Sequence, residues 1–394
     1  GLEYDNQWTD CRCTLCTEKW EKFQKGYTIS VWPWPDDPAA HKLTSEEQLK
    51  LICMYGRFRN SEYEEIYELV RDITVPRKPD ILIYGNFNTG YNAYTFPKNN
   101  AVSTEDGFEP GIVDGKLVQN TGYLRCLSGA GAGWKPVRIE YGRGRGRGQL
   151  AKRISESGVG ATRFVAMEPI KHQLSMAEAF SHGISFQITP EGEFLRDLYF
   201  RTTEAMENWK AISRYNRFFA VHEELYADIE TAAGIVSLHN SCFRRISGGG
   251  FAQRPALIGE LSRRKVNLDI RYDRDINNVS LSTYKVMLLA DTCVISGRLR
   301  EIIKDFSEGG GRIVATGLTG WYDEYFNRYE RNALEGISNV HWMQDPSKKI
   351  LIGLETSKQT NMMEQFPVDA DEDLDSQLVD ELADTLLSFI PSPL

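Results

Sequence analysis

At 394 residues, 41% hydrophobic and 26% charged, the chain has the make-up of an ordinary soluble protein with room for two or three domains. Its formal net charge of −9 argues against general nucleic-acid binding, for which a basic surface is expected. No apolar run approaches the ~18 residues of a membrane span, so no membrane partner is expected.

The chain opens on Gly1-Leu2-Glu3-Tyr4-Asp5-Asn6, a short apolar strand with a carboxylate at its C-terminal end. Because it starts in mid-strand, the first part of a larger domain is expected upstream. Cys11-Arg12-Cys13-Thr14-Leu15-Cys16 follows, a C-x-C-x-x-C cluster, then a short helix over 17–26 with Trp20 and Phe23 on one side. The run Trp32-Pro33-Trp34-Pro35 cannot be helical and suits a loop that packs on a domain or lines a site. Thr44-x-x-Glu47 is a capping box, and apolar residues recur at helical spacing over 49–70 with a break expected near Gly56.

Four further strands are read at 80–86, 101–106, 135–141 and 183–189, the last after a helical stretch over 174–182. With the opening strand they make five, several ending in Asp, Asn or Glu, as in a (β/α) barrel whose site lies on its C-terminal face. Residues 201–230 read as an aromatic-rich helical linker. From 231 to 358, buried-type strands alternate with helices, the mark of a doubly wound parallel sheet. Residues 359–394 form an acidic tail, in which Leu378, Leu382, Leu386 and Leu387 have the spacing of a final amphipathic helix.

Two signals carry chemistry. Thiolates two and three residues apart fold around one soft cation, so Cys11, Cys13 and Cys16 are expected to hold a structural zinc with a fourth ligand elsewhere. The isolated Cys53, Cys126, Cys242 and Cys293 fit core thiols in a reducing, cytoplasmic compartment better than a disulfide framework. The second signal is the carboxylates at strand ends, Asp5, Glu105, Asp106 and Glu140. Glycosidic bond cleavage uses two such groups, one as acid and one as nucleophile or base. The segment Arg143-Gly144-Arg145-Gly146-Arg147-Gly148 is too short, in too acidic a chain, to lead as an RNA-binding element. Gly248-Gly249-Gly250 and Gly309-Gly310-Gly311 lack the spacing of phosphate loops.

The order Tyr4-Asp5-Asn6-Gln7, Cys11-x-Cys13-x-x-Cys16 and Phe23 resembles glycoside hydrolase family 42, the β-galactosidases. Asn86, Glu105-Asp106, the strand Trp134-Lys135-Pro136-Val137-Arg138-Ile139-Glu140 and the helix Ala177-Glu178-Ala179-Phe180 are similar to successive parts of that family's barrel. The resemblance implies the C-terminal part of a (β/α)8 TIM-type barrel over 1–200. It also implies a trimerisation domain over 231–358, flavodoxin- or class I glutamine amidotransferase-like, so that a homotrimer is expected. Amidotransferase chemistry is not implied, since no cysteine stands at Gly317-Leu318-Thr319-Gly320. A β-galactoside or related glycoside is the implied substrate, with Glu140 as nucleophile and Glu168 as its rival. Where the family's acid/base glutamate would stand, this chain has Gln7, so Asp5 is assigned the proton. Asn6, Gln7, Asn86, Glu105, Asp106, Tyr141 and Glu168 complete the expected substrate-binding set. Loss of the usual acid leaves a second reading open, a catalytically inactive carbohydrate-binding or oligomerisation module.

Overall fold

The computed structural model describes residues 2–4, 12–26, 32–34, 37–85, 100–104, 111–113, 116–118, 121–131, 137–141, 169–188, 197–226, 232–240, 254–276, 281–346 and 374–390. All five strands expected in the first half are present. β1 (Leu2–Tyr4) pairs in parallel with β2 (Ile83–Gly85), in the register Leu2↔Ile83, Tyr4↔Gly85. β3 (Val102–Thr104) lies beside β2, and the two are stitched by Asn100. Its Oδ1 accepts from the Ile83 amide at 2.6 Å and its Nδ2 donates to the Ile81 carbonyl at 2.9 Å. An antiparallel hairpin follows, β4 (Gly111–Val113) and β5 (Lys116–Val118), with helix α3 (Thr121–Ala130) after it, neither foreseen from the sequence pattern. β6 (Val137–Tyr141) then pairs in parallel with β3 on one side and β7 (Ile184–Ile188) on the other.

Two helices frame the N-terminal region. α1 (Thr14–Lys25) and α2 (Ser45–Thr74) enclose a ring cluster in which Trp20, 1% exposed, lies 5.2 Å from Phe58, 5.7 Å from Tyr55 and 5.9 Å from Trp34 between ring centroids. The Trp-Pro loop is thus a packing element. Gln24, fully buried, fixes it by binding the Trp32 backbone through both amide atoms, donating to its carbonyl at 3.1 Å. α2 starts on the expected capping box, the Thr44 hydroxyl accepting from the Glu47 amide and the Glu47 carboxylate accepting from the Thr44 amide at 2.8 Å. It runs through Gly56 without the anticipated break. A helical glycine costs only about 1 kcal/mol, and Leu51, Met54 and Phe58, all buried on one face, outweigh that.

α4 (Pro169–Ser181) precedes β7, and α5 (Thr203–Val221) packs on α4 through stacked Phe180 and Phe219 rings 3.6 Å apart. α6 (Glu223–Tyr226) ends the helical stretch read at 201–230. Beyond it stands a five-stranded, all-parallel sheet: β8 (Ile235–His239), β9 (Leu268–Tyr272), β10 (Val286–Ala290), β11 (Arg312–Thr316) and β12 (Val340–Met343), in spatial order β9-β8-β10-β11-β12. β12 gave no clear sequence signal: its ends are half-buried and its central His341 and Trp342 are exposed, as suits an edge strand.

Both faces of this sheet are covered, which is why β10 is apolar at every position and β8 is buried along its whole length. One face meets α7 (Arg254–Arg263) through Leu257, Ile258 and Leu261, and α9 (Ser376–Ser388) through Val379, Leu382 and Leu386. The other meets α8 (Gly297–Glu308) through Leu299, Ile303 and Phe306. The amphipathic helix foreseen near the C-terminus is therefore α9; of its four leucines, Leu382 and Leu386 are buried in the core, Leu378 is half-buried and Leu387 is exposed. No helix among the described residues is long and apolar enough to cross a membrane.

The first half is joined to this sheet by shared packing. α3 lies against α7 and β9, and its Leu124, Cys126 and Leu127 belong to one core cluster with Ile235, Leu268 and Ile270. Gly122 faces Gly259, and Gly129 meets Ile270 so closely that a Cβ there would come within 2.8 Å of the Ile270 Cβ and carbonyl oxygen. The Tyr272 hydroxyl donates to the Cys126 carbonyl at 3.3 Å, and Arg125 donates to Asn267 Oδ1 at 3.3 Å. A second junction is made by α2, whose Arg57 donates to the Glu324 carbonyl and lies 4.9 Å over the Phe326 ring.

Candidate functional site

In a parallel pair, residues on one rung share a face, and alternate residues along a strand face opposite ways. β7 shows which face is which. Ile184 is buried in the shared core and Phe186 packs against it, while Ser185 between them is exposed. The backbone register runs across the wall: Ser103 pairs with Arg138 and Arg138 with Ser185, and Glu140 pairs with Gln187 two residues further along. β3, β6 and β7 thus end side by side as parallel strands, and C-terminal strand ends are where barrel enzymes place their chemistry.

Of the expected site residues, Glu140 and Tyr141 are the last two of β6, on neighbouring rungs. Asp5 follows directly on β1 and Asn86 on β2, whose last shared rung is Tyr4↔Gly85, and Glu105 follows on β3, whose last rung is Thr104↔Ile139. Asp5, Asn6, Gln7, Asn86, Glu105, Asp106 and Glu168 themselves lie outside the described residues. Arg138, Ser103, Ser185 and Gln187 were not singled out from sequence. Arg138 and Glu140 at i and i+2 were visible as a same-face pair, but Ser103, Ser185 and Gln187 join them only through register, which no single strand contains.

Cys13 is the N-cap of α1 and exposed, and Cys16 is half-buried on the first turn, while Cys11 lies outside the described residues. Cys13 makes no side-chain cap to the helix, and a helix N-terminus favours a thiolate over a thiol. Two thiols so placed on one turn fit a soft, thiophilic cation. Among the described residues no group of three or more His, Cys, Asp or Glu is placed to hold a metal. Arg12 lies 5.9 Å over the Trp34 ring, tying the cluster to the aromatic core. Cys126 and Cys293 are each 2% exposed, as expected of core thiols.

The second sheet offers another place to look, the crevice at its C-terminal edge where strand order reverses between β8 and β10. Asn240 spans it. Its amide nitrogen donates to the Val294 carbonyl at 2.7 Å and to Asp273 Oδ2 at 3.0 Å, and its Oδ1 accepts from the Val294 amide at 3.1 Å. Thr292, fully buried, donates to the Leu238 carbonyl at 2.8 Å. Here the polar groups serve to tie strand ends together. Cys293 follows β10, but the left-handed backbone conformation there falls on Asp291 (φ 52°) rather than on the cysteine, so the turn does not present the thiol as a nucleophile elbow does.

The chain matches no protein-family model and no curated protein. Among solved structures, β-galactosidase from Bacillus circulans sp. alkalophilus is similar with a TM-score of 0.59 and 13% identity, over 82% of this chain and 52% of that one. A β-galactosidase from the Antarctic haloarchaeon Halorubrum lacusprofundi gives 0.54 and 13%, over 82% and 53%. A GH42 exo-carrageenase from Bacteroides ovatus gives 0.55 and 9%, over 84% and 49%. The chain thus has a TIM-barrel-like α/β fold similar to that of GH42 structures, and spans about half the length of the proteins it matches.

Proposed function

We propose that the chain is glycosidase-like and acts on a β-galactoside or related glycoside. What supports this most is Glu140, at the C-terminal end of a parallel strand, in a fold similar to GH42 β-galactosidases. In this reading Glu140 attacks the anomeric carbon as the leaving group departs, and Asp5 protonates the departing oxygen. Asn6, Gln7, Asn86, Glu105, Asp106 and Tyr141 bind the sugar, and Glu168 is the alternative nucleophile. The separation of the Asp5 and Glu140 carboxyls decides the stereochemistry: about 5–5.5 Å for retention, about 6.5–9.5 Å for inversion.

Cys11, Cys13 and Cys16 hold a structural zinc that braces the strand end carrying Asp5. The second sheet, in the strand order of flavodoxin-like folds, serves as an amidotransferase-like trimerisation domain, and the protein works in the reducing cytoplasm. Aryl glycosides assayed with the wild-type chain and Glu140→Gln test the chemistry. The variant should lose at least ~100-fold in kcat, and unchanged hydrolysis would remove Glu140 from the mechanism. Gln7 in place of the family's acid favours a second reading, a non-catalytic sugar-binding or assembly module. Saturable sugar binding without turnover would decide for it.

A further inference from the structure

Tyr199 and Phe200 lie in the connection between β7 and α5, and packing fixes the end of the barrel wall at which that connection sits. α4 passes into β7 through His182 and Gly183 alone and packs against it, so helix and strand run in opposite directions. α5 packs on α4, with Phe180 in the last turn of α4 stacked on Phe219 in the last turn of α5. Their last turns together, the two helices run the same way. The N-terminus of α5 therefore stands at the C-terminal end of β7 and of the parallel strands β6 and β3 beside it. Barrel enzymes take their substrates at that end.

The turn that leads into α5 is well tied. The Thr202 amide donates to the Asp197 carbonyl at 3.0 Å and the Arg201 amide to the Leu198 carbonyl at 3.1 Å, while Arg201 takes a left-handed conformation (φ 53°) and Thr202 caps the helix. On this turn Tyr199 is 81% exposed and Phe200 68%, more than any other aromatic side chain among the described residues. Their rings meet edge to face, with centroids 5.2 Å and planes 83° apart. Such a contact covers at most one face of one ring, so flat apolar surface is left to water. Arg201, Thr202, Thr203 and Glu204, next along the chain, are exposed and polar. Two rings offer about 300–500 Å² at most, well short of the ~800 Å² that each partner gives to a stable protein interface. An apolar island of that size, at the mouth of a barrel, suits a small ligand with one flat apolar face. A galactopyranose, with one hydroxyl axial, has such a face of carbon–hydrogen bonds and a rim of hydroxyls.

We propose that Tyr199 and Phe200 form a stacking platform for a galactopyranose unit distal to the bond being cleaved, with Arg201 donating to its hydroxyls. The proposal rests on the glycosidase reading for its ligand. Calorimetric binding of β-1,4-galactotriose and of methyl β-galactoside to the full chain compares wild type with Tyr199→Ala and Phe200→Ala. The Kd for the trisaccharide should rise about tenfold in each variant, and more than that for the monosaccharide. In turnover the loss should fall on KM rather than on kcat, and Tyr199→Trp should restore affinity. Both side chains stand largely in water, so thermal unfolding of the alanine variants should match wild type. Trisaccharide affinity unchanged in both variants, in a wild type that binds or cleaves galactosides, overturns the platform and leaves the glycosidase reading standing. A wild type that neither binds nor cleaves any galactoside removes that reading, and the platform's ligand with it. Self-association lost in the alanine variants, with sugar affinity intact, would give the rings to a protein contact and overturn the proposal.

Discussion

His172, on α4, is 5% exposed, and burial pulls its pKa down from 6.5 to about 4. His182, just past the same helix, is lowered to about 4 by burial and then by the charge of Arg125. An unfolded chain takes up protons at these positions near pH 6.5, while the folded one refuses them until about pH 4. Their contribution to stability is therefore complete above the unfolded value and drains away as pH falls from 6.5 towards 4. For His172 alone the shift is on the order of 3 kcal/mol. Urea midpoints measured at pH 7 and pH 4.5 should drop markedly, and His172→Gln should flatten part of that slope. An equal slope in the variant would mean that carboxylates govern the acid limb. Tyr284 makes a contrasting buried site, its pKa raised by burial and by the 2.6 Å hydrogen bond it donates to Asp269.

Glycines separate elements that touch from elements that do not. At Gly129 on α3 a side chain would be driven into Ile270 of β9, whereas at Gly297, opening α8, nothing lies within 4 Å of a would-be Cβ. Gly129→Ala should destabilise by about 1–3 kcal/mol despite better helix propensity, and Gly297→Ala should be neutral or gain up to ~1 kcal/mol. Thermal unfolding of the two variants in parallel checks the pair, and a neutral Gly129→Ala would contradict the close approach.

The same elements show what a linear reading can reach. The runs now seen as β8, β10 and α8, and the capping box of α2, were legible because their signals are local: unbroken apolarity, helical spacing, a cap three residues from its partner. α3 was overlooked, since Gly122 and Gly129 weaken its local helical signal, and only β9 and α7 explain them as points of contact. For the candidate site, the carboxylate at the end of β6 was evident, but its neighbours Ser185 and Gln187 sit some forty-five residues later, and alignment of rungs is invisible in one strand.

At the scale of the molecule, the aromatic cluster under α1 gives the cysteine cluster a rigid base, with Trp20 and Gln24 buried and Trp34 beneath Arg12. Elemental analysis of reduced, freshly purified protein should find about one zinc per chain, and Cys13→Ser with Cys16→Ser should lose it while the second sheet keeps its thermal transition. A zinc-free wild type that is fully folded would rule out a bracing metal. α3 reaches from the first half into the interior beneath β9, and α2 grips the loop at Phe326 from another side. A larger residue at 129 therefore requires β9 to give way at 270. Neither half can be exchanged between relatives as a ready-made cassette, and crossovers that part them should yield chimaeras that fail to express.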